Sequence, residues 1–330
     1  MSDAILSLEA VSKRFVRRPT LGERIAAALG AEARPRVVHA VDRVSLQLSE
    51  GEVLGLVGES GCGKSTLGRI AAGIYAADEG RARFRDQPIA QGAGLSVRKT
   101  TTQIQTVFQD PFASLNPRQK AGDIVGEGPI VHGLVGRGEA TAYVAGLFRQ
   151  VGLDPDFAGR YPHQFSGGQR QRIAITRALA MQPAFLVCDE AVASLDVSIQ
   201  AQVLNLFIAL RRQLGLTYLF ISHDLGVVKH VSDRVAIMYL GRLVELAPTA
   251  ELFAAPNHPY SQALLAAVPR LAERRRRFVP VKGEVPSAST PPPGCHFHPR
   301  CPHVLPRCRS EIPALREIAP GRLSACHLNG

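Results

Sequence analysis

The sequence predicts an α/β fold with a parallel sheet, and two observations support this. Three short apolar runs are continuous rather than alternating, which is typical of strands covered on both faces of a parallel sheet. They are Val53–Gly58, Phe185–Asp189 and Tyr218–Ser222. Helical patterns separate these runs and cover Thr66–Ala72, Gln169–Met181 and Ile199–Leu214. Strands that alternate with helices along a chain indicate an α/β domain.

The first fifty residues favour two further strands, at Leu6–Val16 and Val44–Leu48. The insert between them, Arg17–Arg36, has Leu21, Ile25 and Leu29 on one helical face. It is interpreted as a loop, with a short amphipathic helix as the alternative. Further along, Gly126–Arg160 has few strand signals and indicates a helical insertion.

Composition restricts the class of protein. The chain has 330 residues, of which 45% are hydrophobic and 20% charged, and this fits one large domain or two unequal ones. No apolar run approaches the roughly 18 residues that span a bilayer, and the N-terminus lacks the features of a signal peptide. We therefore expect a cytosolic protein with reduced cysteines. The net charge of +11 is compatible with nucleic acid, an acidic membrane surface, an anionic substrate or a solvated basic surface.

A phosphate-binding loop is predicted directly after the first apolar run. The stretch GESGCGKST fits the pattern G-x-x-x-x-G-K-[ST] between a predicted strand and a helix, which is the context that this loop requires. Its glycines let backbone N–H groups converge on a phosphate, with the helix N-terminus adding positive charge. We expect the nucleotide to contact Gly58, Glu59, Ser60, Gly61, Cys62, Gly63, Lys64, Ser65 and Thr66. Lys64 is expected to reach the β- and γ-phosphates, and Ser65 to bind Mg²⁺.

Two carboxylates follow the strand predicted at Phe185–Asp189. Asp189 is positioned to hold the Mg²⁺ shell, while Glu190 is positioned to orient or deprotonate the attacking water. An Asp-Glu pair after a strand is weak evidence for a nucleotide site when it occurs alone. Together with Lys64 in a predicted phosphate-binding loop, it becomes strong evidence. Cys62 and Cys188 are interpreted as small buried side chains rather than reactive thiols.

The stretch QFSGGQRQRIAITRALA (Gln164–Ala180) resembles the signature motif of ABC-type ATPases, and other motifs of that family occur in the expected order. Phe165 replaces the usual leucine, and AVASLD departs from the common sequence after Glu190, but no catalytic group is lost. The resemblance implies a P-loop NTPase domain with a small antiparallel β subdomain and a helical subdomain at about 110–180. It implies an active ATPase that uses ATP and Mg²⁺.

The same resemblance assigns roles to individual residues. Gln109 matches the Q-loop glutamine, a Mg²⁺ ligand together with Ser65 and Asp189, and His223 matches the switch histidine. The catalytic set that it implies is Glu190, His223, Gln109 and Lys64. Phe15 matches the residue that stacks on adenine. The composite-site residues that would close on ATP held by a second subunit are Ser166, Gly167, Gly168, Gln169 and Asp196.

A finer resemblance is to the ATP-binding subunits of oligopeptide and dipeptide permeases, closest to their F-type subunit. VFQDPFASLNPR (Val107–Arg118) and HPYSQALLAAVP (His258–Pro269) carry it. It implies a D-type partner ATPase, two transmembrane permease subunits and an extracytoplasmic solute-binding protein, with the chain on the cytoplasmic face of the membrane. There are two alternatives: an importer for another solute, such as nickel or glutathione, and a soluble ABC ATPase acting on nucleic acid. The transporter interpretation expects no nucleic acid partner.

Composition changes after about Leu252, which divides the chain into an ATPase domain (1–252) and a C-terminal extension (253–330). ERRRR is a charge run there, and GEVPSASTPPPG indicates an extended linker. Beyond it, Cys295, Cys301, Cys308 and Cys326 have the spacing C-x5-C-x6-C-x17-C, unlike the C-x2-C pairs usual for zinc.

Four thiolates can hold a [4Fe–4S] cluster. In the permease ATPases that this chain resembles, a tail of this pattern is associated with such a cluster, so the resemblance implies one here. Zinc is the alternative, with the tail histidines as possible further ligands: His296, His298, His303 and His327. A disordered tail with free thiols is the third interpretation.

Overall fold

The computed structural model describes residues 4–17, 36–92, 97–267 and 283–329. In chain order, its strands are β1 (Ala4–Arg17), β2 (Arg36–Ser49), β3 (Val53–Val57), β4 (Glu79–Phe84), β5 (Gln87–Pro88), β6 (Ala90–Gln91), β7 (Arg98–Lys99), β8 (Ile104–Val107), β9 (Phe185–Asp189), β10 (Thr217–Ile221), β11 (Arg234–Tyr239), β12 (Arg242–Pro248), β13 (Arg316–Ala319) and β14 (Arg322–Ser324). The predicted insert lies almost wholly outside the described residues, as does the ERRRR run.

The α-helices of the described residues are α1 (Lys64–Ala71), α2 (Pro111–Ser114), α3 (Ala121–Val131), α4 (Ala140–Gln150), α5 (Gly167–Leu179), α6 (Val197–Leu214), α7 (Leu225–Val231), α8 (Thr249–Ala254) and α9 (Pro259–Ala266). Short 3₁₀ turns occur in the loops, and three of them lie in the tail: His298–Arg300, Pro306–Arg309 and His327–Asn329. No helix of the described residues has both the length and the apolar character to cross a membrane.

The main sheet has the strand order β13-β14-β12-β11-β3-β10-β9-β8 within the described residues. Strands β11, β3, β10, β9 and β8 run parallel to one another. Every residue of β3, β9 and β10 is buried, as the continuous apolar runs predict. Because these strands are parallel, the loops that follow β3, β10, β9 and β8 all leave from one edge of the sheet.

A second sheet, in the order β2-β1-β4-β5, is antiparallel and confirms the expected antiparallel β subdomain. Its apolar face packs with α1 and the main sheet around a core that includes Leu6, Leu48, Leu56 and Ile221. Burying a side chain of this size stabilises the fold by about 1.5–3 kcal/mol.

The segment after β8 is helical, as predicted. Helices α3, α4 and α5 pack around Val125, Phe148, Phe165 and Ile173, all of which are buried. Pro129 lies inside α3, which ends two residues later.

The C-terminal extension is folded onto the ATPase domain over the described residues 283–329. Strand β14 pairs antiparallel with β12 and brings β13 to the edge of the main sheet. The linker is also anchored, because Ala288 accepts a hydrogen bond from the His39 backbone N–H (3.1 Å). A third core joins the extension to the sheet and contains Tyr239, Tyr260 and Phe297. A disordered tail is therefore the wrong interpretation, while the boundary near Leu252 stays a prediction.

Candidate active site

The loop Gly58–Thr66 connects β3 to α1, and close packing requires glycine at two of its positions, Gly58 and Gly63. Gly63 has φ +108°, a conformation that L side chains rarely adopt. A Cβ there would lie 2.0 Å from the Ala40 carbonyl oxygen, and a Cβ at Gly58 would lie 2.2 Å from that of Met238. The loop can therefore pack against its neighbours only with glycine at these positions.

Lys64 lies across this loop. Its side chain is only 5% exposed, and Nζ donates hydrogen bonds to the carbonyl oxygens of Gly58 (2.8 Å) and Glu59 (3.0 Å). These contacts hold an ammonium charge within the curve of the loop, where it can serve as a point charge for a phosphate group.

Ser65 and Asp189 meet at the centre of the site. The Ser65 hydroxyl donates to Asp189 Oδ1 at 2.9 Å, across 124 residues of sequence. Burial raises the pKa of Asp189, while the hydroxyl's hydrogen bond acts in the opposite direction. A hydroxyl beside a carboxylate is a donor set that Mg²⁺ accepts, usually together with phosphate oxygens and water. The residues present therefore fit the expected ion.

Glu190 and His223 form the second pair. Their closest atoms, Glu190 Oε2 and His223 Nδ1, are 3.4 Å apart. Glu190 has φ +50°, which is unusual for a residue with a side chain. Its N–H donates to the Ile221 carbonyl oxygen (3.0 Å) at the end of β10. Strained backbone of this kind persists where the surrounding structure fixes it, often at functional sites.

Gln109 follows β8, at the same edge of the sheet as Asp189. It is exposed, and the next residue, Asp110, caps α2 by accepting hydrogen bonds from the N–H groups of Phe112 (2.8 Å) and Ala113 (3.2 Å). The cap fixes the backbone just after the glutamine. The fold thus brings Gln109 to the strand edge where the other predicted residues lie, without a direct contact to them among the described hydrogen bonds.

The predicted signature residues begin helix α5. Ser166 is the N-cap: its Oγ accepts from the Gln169 N–H (3.3 Å), and the Gln169 side chain accepts from the Ser166 N–H (3.0 Å). This reciprocal capping box leaves Ser166 and Gly167 exposed at a positively polarised helix end. A Cβ on Gly168 would approach Ile199 to 2.5 Å. Asp196 is the N-cap residue of α6, though its side chain accepts no capping bond.

Phe15 lies on β1 and is partly exposed. Its ring contacts Tyr75 edge-on, with centroids 5.6 Å apart, and Lys13 Nζ lies 5.9 Å from its centroid. The sequence interpretation did not include Tyr75, whose only signal was its aromatic character. The role of Phe15 at adenine stays a prediction.

The two cysteines of the ATPase domain are inert in this setting. Cys62 and Cys188 are both buried, and burial raises the pKa of each thiol. Thiolates are the nucleophilic form, so neither side chain is activated.

The tail cysteines are folded close together. The Cys295 N–H donates to the Cys308 carbonyl oxygen at 2.9 Å. Burial, together with the neighbouring tail cysteines, raises the pKa of the Cys295 thiol to about 11. All are free. In the part of the chain that the structure describes, however, no group of three or more cysteine, histidine or acidic side chains is arranged to hold a metal ion. The arrangement of these side chains therefore supports neither the predicted iron–sulfur cluster nor a zinc site.

One set of contacts was not predicted from sequence. The Tyr260 hydroxyl accepts a hydrogen bond from the Glu59 N–H at 2.9 Å, and Arg300 binds the Glu59 carboxylate through both terminal nitrogens. Both partners lie in the extension. No local periodicity signals a contact between residues 241 positions apart.

Comparison with known proteins agrees with this geometry. A family model described as ABC transporter matches residues 41–193, and one described as oligopeptide/dipeptide transporter, C-terminal region, matches residues 244–308. The oligopeptide transport ATP-binding protein AppF of Bacillus subtilis (strain 168) is 49% identical, over 99% of this chain and 98% of the relative. The dipeptide transport ATP-binding protein DppF of Haemophilus influenzae is 47% identical, over 90% and 91%.

Among solved structures, cbiO1 from Clostridium perfringens, part of the ABC transporter complex cbiONQ, matches with a TM-score of 0.61. It is 26% identical, and the match covers 77% of this chain and 92% of that one. The fold and the loop after β3 define the class of phosphate-loop ATPases. Within it, the chain belongs to the ABC transporter ATP-binding proteins, in the group that carries the oligopeptide/dipeptide C-terminal region.

Proposed function

We propose that this ATPase powers the import of di- or oligopeptides and forms composite ATP sites with a second nucleotide-binding subunit. The observation that carries the proposal is the Ser65–Asp189 hydrogen bond of 2.9 Å at one sheet edge, beside Lys64 and the Glu190–His223 pair. It joins a phosphate-binding loop to acidic residues in the arrangement that phosphoryl transfer needs. The full-length likeness to peptide transport ATP-binding proteins supports the substrate class.

Within the site, Lys64 would bind the β- and γ-phosphates, and Glu190 would accept a proton from, or orient, the attacking water. His223 would hold that geometry through its contact with Glu190. Ser65, Asp189 and Gln109 would hold Mg²⁺, which when bound neutralises the phosphate charge. The burial that raises the pKa of Asp189 would be offset by the cation's charge.

A second subunit would complete each site. Ser166 and Gly167 are exposed at the beginning of α5, and they make no contact with the phosphate loop of their own chain among the described hydrogen bonds. A helix N-terminus that faces solvent is suited to a phosphate on another molecule. We infer that this surface, with Asp196, closes on ATP bound by a D-type partner ATPase.

The remaining partners follow from the transport role. Two transmembrane permease subunits would be driven by ATP binding and hydrolysis. They would contact this chain through the segment Gln109–Arg118, which includes α2. A solute-binding protein on the other side would deliver the peptide. The chain would therefore lie peripherally on the cytoplasmic face of the membrane. Its net charge of +11 would suit contact with anionic headgroups.

The decisive experiment is reconstitution. The chain is purified with its permease subunits and partner ATPase, placed in liposomes, and supplied with peptide-loaded binding protein. We expect peptide-dependent ATP hydrolysis that Lys64→Met abolishes. ATPase activity that DNA or RNA stimulates, and that permease subunits and peptide leave unchanged, would refute the proposal. Nickel or glutathione in place of peptide tests the other importers.

The metal assignment of the tail cysteines stays a prediction, and no step of the mechanism depends on it. Its support is the proximity of Cys295 to Cys308 and the high thiol density of the segment. Against it stands the lack of a metal-holding group among the described side chains. Anaerobic purification with iron, sulfide and zinc analysis distinguishes the cluster, zinc and free thiols.

A further inference from the structure

Glu59, the second residue of the phosphate loop, is held at three points. Its N–H donates to the Tyr260 hydroxyl (2.9 Å), its carbonyl accepts from Lys64 Nζ (3.0 Å), and its carboxylate binds Arg300 at 2.7 and 3.0 Å. Two of these three contacts come from the C-terminal extension. The phosphate loop is thus fixed partly by residues far outside the ATPase motifs.

The Arg300–Glu59 ion pair has the features of a strong interaction. It is bidentate, with both oxygens of the carboxylate bound, and the Arg300 side chain is only 5% exposed against 25% for Glu59. Paired geometry of this kind adds orientation as well as energy. Removing one partner of a poorly solvated pair leaves an uncompensated charge. Here that charge would be a carboxylate in the loop that must receive the phosphates of ATP.

Aromatic rings give this contact a rigid support. Tyr239, Tyr260 and Phe297 pack mutually, with ring centroids 4.6 to 5.4 Å apart. Arg300 also donates to the Tyr239 hydroxyl at 3.4 Å. Each of the three rings is fully buried. The guanidinium and the phenol of Tyr260 therefore project toward the loop from a packed surface and not from a flexible segment.

The start of α9 is fixed in turn. The buried Glu245 carboxylate on β12 accepts hydrogen bonds from the N–H groups of Asn257 and His258, each at 2.8 Å. His258 Nδ1 accepts from the Tyr260 N–H at 3.0 Å. This gives the sequence His258-Pro259-Tyr260 a physical role, since the cap orients α9 so that its tyrosine reaches Glu59.

We propose that Tyr260 and Arg300 are positioning residues for the phosphate loop, through which the C-terminal extension sets the affinity for ATP. Tyr260 fixes the loop backbone, and Arg300 neutralises Glu59 so that it does not repel the triphosphate. The proposal depends on the proposed function at one point only: the loop Gly58–Thr66 must bind ATP. It predicts an effect on KM for ATP and on Mg-ATP binding, with kcat nearly unchanged, because neither residue touches the reacting atoms.

The test measures Mg-ATP binding and steady-state ATPase activity of the full-length chain. Arg300→Gln is expected to raise the KM and Kd for ATP about tenfold, because a tenfold change corresponds to the free energy that a lost charge-assisted hydrogen bond typically costs. In a Glu59→Gln background the same change should alter KM less than about twofold, because the carboxylate to be neutralised is gone. Arg309→Gln is the matched control, since Arg309 is an exposed arginine of the same tail.

Tyr260→Phe keeps the ring and removes only the hydroxyl, so it tests the contact without disturbing the core. We expect KM to rise about threefold with little change in melting temperature. Unchanged KM in both Arg300→Gln and Tyr260→Phe, or an equal Arg300→Gln effect with and without Glu59, would overturn the proposal. Loss of thermal stability without a change in KM would also overturn it. Lys64→Met distinguishes a failure of this proposal from a failure of the proposed function. Retained ATP binding in that variant would show that the loop Gly58–Thr66 does not bind ATP.

Discussion

The carboxylate of Glu190 lies 3.4 Å from the imidazole of His223, and the two residues follow adjacent parallel strands, β9 and β10. The Glu190 side chain is 18% exposed and that of His223 is 58% exposed. The carboxylate is thus enclosed while the imidazole faces solvent. This difference is consistent with the proposed role of Glu190 as a base that is held in a fixed position.

Glu190→Gln should abolish turnover while ATP binding persists. The amide keeps the shape of the side chain but cannot accept a proton, a change that typically costs about 10²- to 10⁴-fold in rate. Single-turnover hydrolysis and retention of ATP after gel filtration measure the two effects. Glu139→Gln, at an exposed position before α4, is the control. Wild-type hydrolysis by Glu190→Gln would remove Glu190 from the reaction.

Substitutions of Ser166 should separate its cap from its role in the composite site. Ser166→Ala loses the N-cap bond and should lower the free energy of unfolding by about 1 kcal/mol. Ser166→Asp keeps a capping oxygen, so stability should be preserved, but its negative charge would face the phosphates of the partner's ATP. We therefore expect full stability and lost ATPase activity for Ser166→Asp. If that variant hydrolysed ATP normally, α5 would not contact the nucleotide.

Glu245 should be important for stability although it lies outside the active site. Glu245→Ala leaves two N–H groups, of Asn257 and His258, without their buried acceptor. We expect a loss of about 3 kcal/mol in denaturant unfolding. Glu251→Ala, at a half-exposed ion pair with Arg322, should cost less than about 1 kcal/mol. Equal losses in the two variants would contradict the anchoring of α9 by Glu245.

Stability should fall below neutral pH because of buried histidines. Burial lowers the pKa of His258 from 6.5 to about 4, and that of His296 to about 4 as well. The unfolded state then binds more protons than the folded state between these values, so stability is full above pH 6.5 and declines as the pH falls toward 4. Urea unfolding at pH 7 and pH 5 measures the slope.

His258→Asn provides the matched comparison for that slope. Asparagine can still cap α9 but does not titrate, so the pH dependence should be reduced and not abolished, since His296 remains. A variant with the wild-type slope would show that His258 does not contribute to it.

Much of the ATPase domain could be predicted because its signals are local. The strands β3, β9 and β10 were predicted within one residue at each end, since full burial gives uninterrupted apolar runs. The capping box of Ser166 and Gln169 lies within four residues and is visible in the sequence. Parallel strand order then brings residues after different strands to one edge without further information.

Most of the missing parts depend on contacts between distant segments. Strand β11 is an exception, because Val235–Tyr239 is a continuous buried apolar run like β3 and could have been predicted. The pairing of β12, β13 and β14 is determined by the sheet that they join. The contact of Arg300 with Glu59 and that of Phe15 with Tyr75 follow from tertiary packing alone. The positive φ of Glu190 likewise has no local signal, because the residue type disfavours it.

The pairing of β14 with β12 means that the extension covers the edge that β12 would otherwise expose. Glu245 and Leu246 are paired with Ser324 and Leu323 on one side, and β11 lies on the other. A chain cut before the tail would present β12 as a bare edge with unpaired amides and a largely apolar sequence, which is the kind of surface that templates association with other strands. Expression fragments limited to the ATPase motifs would therefore be prone to aggregation for a reason unrelated to nucleotide chemistry.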